Sequence, residues 1–246
     1  MNKQTPRLRN VEKYKPFYQL GQFPAGFALA LGKELVYLLA TRYPPTLEGS
    51  DWEQIFARCI NAEWTPSNVG LDDVQKEQMA WSAKTVKNKN PFDVRHVRLI
   101  SGRNSLDYSF DIENVHTEDP KKLGEMVLGI WNARITDVRK KFATTRTVVL
   151  IKGDDLSTVS VFEEETLKFL PEEYEWEWNQ KGNLEGYVKG TDVKKFTWQP
   201  HGAQFTVTTK VPEDRLKIRI RRPPLLDRDG VLEQIKFDPS WIEVVK

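Results

Sequence analysis

The stretch GLDDVQKEQMAWSAKTVK, residues 70–87, sets paired carboxylates, Asp72 and Asp73, ahead of a polar break and then Lys84 inside a strand-like run. Those residue types suit hydrolysis of a phosphodiester. In-line displacement needs a nucleophilic water and charge compensation on the phosphate and leaving oxygen, which carboxylate-bound Mg²⁺ and a lysine supply together. Two adjacent antiparallel strands would bring acid and lysine to one sheet edge without a long loop. Side chains alternate along a strand, so Ser82 and Lys84 share a face and Ala83 points to the other. The same alternation sends Asp72 and Asp73 opposite ways. Asp73, followed by apolar Val74, is the favoured metal ligand, with Asp72 in reserve. Taken alone, paired acids with a lysine also describe the solvated face of an ordinary hairpin.

The elements that must position these groups are legible from periodicity. PAGFALALGKELVYLLATRY repeats apolar residues at helical spacing, with Pro24 placed to open the helix and Pro44-Pro45 to end it. In GSDWEQIFARCINAEW, Ser50 or Asp51 can cap a second helix whose stripe is Trp52, Ile55, Phe56, Cys59 and Ile60. Segments 68–76, 79–87 and 94–102 then read as three successive strands. From Asp119, DPKKLGEMVLGIWNARITDVRKKF returns to helical spacing with Pro120 in the first turn, and TVVLIKG is an unbroken β-branched run suited to a strand buried on both faces. The remainder, VSVFEEET, YEWEWNQKGNLEGY, KFTWQPHGAQFTVTTK and LKIRIRR, reads as strands joined by turn chemistry. The expectation is one α/β domain over residues 1–246, with a core at about 47–152 and an antiparallel β-rich extension at about 153–246.

The order helix, strand with Asp, strand with x-x-Lys, strand, helix, strand resembles the common core of the PD-(D/E)xK nucleases, the superfamily of most type II restriction endonucleases. SAKT at 82–85 is similar to its (D/E)-x-K element with Ser82 in the acidic position. In some members of that superfamily Ser or Ala stands there, and a glutamate from a helix provides the missing carboxylate. GSDWEQIF resembles the Gly-x-x-aromatic-Glu pattern of the helix before the first core strand, which makes Glu53 the replacement, with Glu63 and Glu125 as second choices. The resemblance spans about residues 47–152. It implies a restriction-endonuclease-like fold and Mg²⁺-dependent cleavage of double-stranded DNA. Asp73 and Glu53 would hold the metal, Lys84 would act on water and phosphate, and Ser82 would be a bystander or a hydrogen-bonding support. It also implies a homodimer, since a two-fold protein matches a palindromic site. Two rivals stand beside this reading: a DNA-binding or repair protein of the same fold with a decayed site, and a protein-interaction module.

A positive track for phosphate is offered by Lys87, Lys89, Arg95, Arg98 and Arg103, although the ordinary place for any single one of them is a charged solvent face. SGRNS places Arg103, Asn104 and Ser105 in a Gly/Ser turn, where an Arg and an Asn could meet base edges or Asn104 could simply stabilise the turn. Gln199, His201 and Gln204 surround a hairpin tip with Trp198 and Phe205 at its base. A β-ribbon can read a groove with such amides, and the two aromatics fit an ordinary cross-strand pair. EEYEWEWNQKGNLEGY would repel phosphate and suits a surface turned away from DNA or a subunit contact.

Thirty-seven Lys and Arg against 35 Asp and Glu give a net charge of +2, so distribution rather than the total must carry any affinity for anions. His96, His116 and His201 lack the spacing of a zinc site. Cys59, the single cysteine, cannot form an internal disulfide and reads as a core thiol of a reducing compartment. No apolar run is long enough to span a bilayer, and MNKQTPRLRN lacks the apolar core of a secretory signal. The expected location is cytoplasmic.

Overall fold

The computed structural model describes residues 14–65 and 71–245. The fold is mixed α/β, with two sheets and five α-helices among the described residues. Two helices come first, α1 (Phe27–Thr41) and α2 (Gly49–Ile60), both as the periodicity predicts. The start of α2 differs in detail: Glu48 occupies the cap position, and Asp51 Oδ2 accepts from the Glu48 N–H at 2.8 Å while its carboxylate pairs with Arg42. Of α2, the side chains Trp52, Ile55, Phe56 and Ile60 are buried. Cys59 is half-buried, and burial pushes its thiol up to about 12.

The first sheet has six strands in the order β1 (Glu63–Trp64), β2 (Val74–Lys76), β3 (Met79–Lys87), β5 (Thr144–Lys152), β6 (Thr158–Glu165) and β11 (Leu216–Arg219). Among the described residues only β3 and β5 run parallel, paired from Met79↔Thr144 to Lys87↔Lys152. They are joined by β4 (His96–Arg103), the short helix α3 (Leu106–Phe110) and the long helix α4 (Pro120–Lys141), which Asp119 caps through Lys122 N. As its composition predicts, β5 is buried on both faces: Val148 and Leu150 pack with α1 and α2, while Val149 and Ile151 pack with β4.

The segment expected as the third core strand departs from the first sheet. β4 pairs instead with β10 (Gln204–Lys210), in a second, antiparallel sheet ordered β4, β10, β9 (Lys194–Gln199), β8 (Leu184–Val188) and β7 (Tyr174–Trp178). Its alternation explains why: Val97 and Leu99 are buried and His96, Arg98 and Ile100 exposed, the pattern of a strand packed on one face only. The C-terminal part is also not a separate extension in register terms. β6 and β11 complete the first sheet, so no break in pairing falls at residues 152–153.

Helix α4 lies between the sheets. Its Leu123, Val127, Leu128, Trp131 and Ile135 form one cluster with Ala80 of the first sheet and Trp176, Phe196, Trp198 and Phe205 of the second. The approach is tight at Gly124, where any side chain would run into the indole of Trp176. The aromatics of the acidic ribbon thus serve packing: Trp176 is buried on α4, and Glu175 and Glu177 face outward.

On the opposite face, the N-terminal segment is tied to the first sheet by a buried polar knot. Glu163 of β6 accepts from Trp81 Nε1 at 2.7 Å, from Arg146 Nη1 at 3.2 Å and from the Tyr18 hydroxyl, while Arg146 Nη2 donates to the Tyr18 carbonyl at 2.9 Å. An isolated charge in that place would be costly, and the mutual pairing is what makes it tolerable. Residues 228–234 form a fifth helix, α5 (Arg228–Gln234), followed by a 3-10 turn at Pro239–Trp241.

Candidate active site at a notch in the first sheet

Strand β2 is short, and among the described residues its pairing covers Met79–Trp81 of β3. Asp73, the residue just before β2, fills the start of the notch where that pairing ends: its Oδ2 accepts from the Ala83 N–H at 3.2 Å and lies 3.5 Å from Ser82 Oγ. A backbone donor of β3 is thereby satisfied by a carboxylate. The Asp73 backbone is held from the other side, its carbonyl accepting from Thr65 N at 3.0 Å.

Glu53 reaches the notch from α2. It is half-buried on the flank of the apolar stripe, and its Oε2 accepts from Trp64 Nε1 at 3.0 Å, a contact that fixes the carboxylate's direction. Lys84 comes from β3 itself. Gly49, Glu53, Lys84, Lys87 and Arg98 line one groove running between β3 and β4. Asp73 is the group on which these charges act. Burial pushes its carboxyl up to about 6, Lys84 opposes that rise, and Glu53 and Asp72 add to it. Lys84, Glu53 and Asp72 are therefore each close enough to act on Asp73; the sequence expects Glu53 and Lys84 beside it and sends Asp72 the opposite way.

Asp72 is also buried. Its carbonyl accepts from Thr65 Oγ1 at 3.1 Å and Gln75 Nε2 at 3.2 Å, but its Oδ1 is buried with no hydrogen-bond partner. Carboxylate oxygens such as Asp72 Oδ1 and those of Asp73 and Glu53 are hard donors of the kind Mg²⁺ takes, one or two at a time with several waters. Among the described residues, no group of three or more His, Cys, Asp or Glu side chains is placed so that it could hold a metal ion, so a metal here would rest on one or two carboxylates and water. Glu63 is exposed on β1 and Glu125 is exposed on α4.

The remaining predicted contacts divide. Arg98 lines the groove, Arg103 is exposed at the end of β4, and Lys87 is exposed and paired with Asp154 at 3.0 Å. His201 is exposed at the β9–β10 turn, Gln199 is half-buried beside it, and Gln204 faces Arg103 across the β4–β10 pair. Asn104 is corrected: it is fully buried, its Nδ2 donating to Val127 O at 2.8 Å and its carbonyl accepting from Trp198 Nε1 at 2.9 Å, so it joins α4 to the second sheet and presents nothing to a base. Ser105 is likewise committed, its Oγ accepting from Tyr108 N at 3.2 Å as the cap of α3. SG in SGRNS is the end of β4 rather than a turn. Gly102 takes φ 124° at a register shift against Phe205 and Thr206, and Arg134 fills the space a side chain would need. Trp198 and Phe205 pair across strands and are fully buried.

A second cavity between the two sheets adjoins the notch, lined by Ser82, Lys84, Thr147, Glu164, Lys195 and Trp131 among others. Register explains the row: Ser82 opposes Thr147, and Thr147 opposes Glu164. Burial raises the Glu164 carboxyl and lowers the Lys195 ammonium, while the Thr209 hydroxyl donates to Glu164. Nothing in the sequence distinguishes Glu164, because VFEEET ends a strand on three acids, the ordinary appearance of a strand running into solvent.

No protein family, curated protein or solved structure matches the chain. No helix of the described residues is long and apolar enough to cross a membrane.

Proposed function

We propose that this chain is a metal-dependent endonuclease that hydrolyses phosphodiesters of double-stranded DNA at a specific sequence, in the manner of a restriction endonuclease of the PD-(D/E)xK type with Ser82 in the acidic position. The observation that carries the reading is the environment of Asp73, a buried carboxyl in a sheet notch with Lys84, Glu53 and Asp72 as its main charged neighbours. Perturbed carboxyls with a specific charge partner in a groove are what hydrolytic sites require. A bound Mg²⁺ would supply charge neutralisation on the phosphate and make water a stronger acid. The chain's own groups would do the rest. Ionised Asp73 and Glu53 would hold the metal, Trp64 would keep Glu53 turned toward the notch, and the Lys84 ammonium would orient the attacking water and offset charge building on the phosphate. Arg98 would hold the neighbouring backbone phosphate in the groove.

Incubating the purified protein with phage DNA in Mg²⁺, and separately in EDTA, tests the proposal. Discrete fragments that require the metal support it. One observation favours a second reading, a DNA-binding protein without hydrolysis: the position next to Asp73 on β3 carries the hydroxyl of Ser82 instead of a carboxylate. Salt-sensitive DNA binding with no nicking in Mg²⁺ or Mn²⁺ would select that reading.

A further inference from the structure

The cavity between the two sheets has a polar side and an aromatic side, and the proposed cleavage chemistry uses neither. The polar side is the row Ser82, Thr147 and Glu164, set next to one another across the first sheet by strand register. Trp131 of α4 and Phe169 supply the aromatic surface, with ring centroids 6.3 Å apart and planes 22° from parallel, and Leu99 and Val207 add apolar wall.

Two opposite charges line this space without joining. Glu164 takes the Thr209 hydroxyl on Oε2, and no described residue donates to its Oε1. The Lys195 ammonium, from β9, gives one hydrogen to Thr208 O at 3.0 Å, lies 5.7 Å from the centre of the Phe169 ring and has two hydrogens left over. Each charge acts on the other, yet no hydrogen bond or ion pair links the two groups. Burial opposes both charges, so an acceptor and a donor stand partly desolvated on one cavity, where an occupant that satisfies both relieves the cost.

Size and chemistry select that occupant. The cavity holds about 110 Å³. Drug-sized ligands take ~300 Å³ or more, whereas a dry cavity of ~150 Å³ is enough for benzene, so one six-membered ring fits here and a fused purine does not. The aromatic surface suits a flat ring, the carboxylate calls for an amino donor, and the ammonium calls for a carbonyl or ring-nitrogen acceptor. Cytosine carries that amino donor and those acceptors along a single edge. Uracil and thymine put a carbonyl where the amino group would meet the carboxylate.

We infer that this cavity binds a single unpaired cytosine ring, whose amino group donates to Glu164, whose carbonyl accepts from Lys195, and whose face lies against Trp131 and Phe169. The ring has two sources, a free nucleoside or a nucleotide swung out of DNA. Lys84 and Leu99 line both the cavity and the groove, so the two spaces meet beside the place where a backbone phosphate would lie. The site goes beyond hydrolysis and does not require that the chain cut DNA.

Binding is read in EDTA at about pH 8, where no cleavage intervenes. Isothermal titration with cytidine and with uridine is expected to show cytidine bound about 10-fold or more tighter, the discrimination of one good carboxylate-to-amino contact. Glu164→Gln, whose amide donates as well as accepts, is expected to erase that preference while still accepting from Thr209; a carboxylate with a merely structural role would leave the ratio of the two affinities unchanged. Lys195→Met, which keeps an apolar stem beside Phe169, is expected to weaken cytidine by about 10-fold. A duplex with one cytosine opposite an abasic site, compared with the same duplex fully paired and with thymine in the unpaired place, separates the sources. A cytosine-specific gain of about 10-fold that Glu164→Gln removes assigns the ring to DNA. Cytidine binding without that gain assigns it to a free nucleoside, and either result supports the site. The inference is overturned if neither cytidine nor the unpaired cytosine is preferred, or if Glu164→Gln leaves the preference intact. A chain that cuts DNA and shows no such preference overturns this inference alone, and one that shows the preference and never cuts overturns only the nuclease reading.

Discussion

Replacing Asp73 by Asn should make the protein more stable and inactive at once. The Asp73 carboxyl is raised from its ordinary 3.8 to about 6, chiefly by burial. A group whose folded-state pKa lies above its unfolded value supports the fold fully below the unfolded value and withdraws that support as pH rises through the folded one. For Asp73 the window runs from about pH 4 to above pH 6, and ionisation over it costs up to about 3 kcal/mol. Asn still buries a polar amide in the same place, so about 2 kcal/mol is a fair expectation for what Asn recovers at pH 8. In a chain of this length that corresponds to roughly 4–8 °C in Tm. Asn keeps an oxygen for the Ala83 N–H and has no charge for Glu53 and Asp72 to repel. Thermal denaturation of both proteins from pH 4 to pH 8 measures the difference, which should be near zero at pH 4 and grow to its full size by about pH 7. Mg²⁺ should then reverse the order: a ligand at 100 times its Kd stabilises by about 2.7 kcal/mol, available to wild type and lost to the variant. A variant no more stable than wild type at pH 8, or a gain independent of pH, would refute the account of the notch.

Lys84→Ala should lower cleavage by about 100-fold or more while leaving DNA binding and the unfolding midpoint nearly unchanged, as single-turnover assays and gel shifts can check. Cleavage by wild type should fall on acidification through about pH 6 as Asp73 takes up its proton, seen in the pH profile at saturating Mg²⁺. Glu163→Ala should cost about 3–5 kcal/mol in urea denaturation, because Arg146 is left charged and unpaired in the interior. Gly124→Ala gains about 1 kcal/mol in helix propensity but drives a methyl into Trp176, for a net loss of about 1–2 kcal/mol by the same measurement.

Helices α1, α2 and α4 and the doubly buried β5 were legible because each announces itself locally, through helical spacing, a first-turn Pro120 or an unbroken β-branched run. The notch residues were legible for a related reason: a hairpin fixes which side chains face each other, so Asp73 meeting Ser82 follows from short-range register. What could not be read depends on distant pairing. The alternation in β4 says that one face is buried, and it does not say which sheet will bury it. Asn104 has the same side chain whether it reads a base or bridges Val127 and Trp198 in the interior. The Tyr18, Arg146 and Glu163 knot joins segments far apart in the chain, and nothing near any one of them signals the other two. Helices α3 and α5 are too short to establish a period.

The parallel pairing of β3 with β5 sets an order of events for a chain emerging from the ribosome. The strand that bears Lys84 is complete by residue 87, but its long neighbour begins only at residue 144. Until then β3 presents a row of open donors and acceptors, the kind of edge that invites pairing with other chains. Polypeptides that stop short of β5 should accordingly collect as insoluble material rather than as inactive but well-behaved fragments.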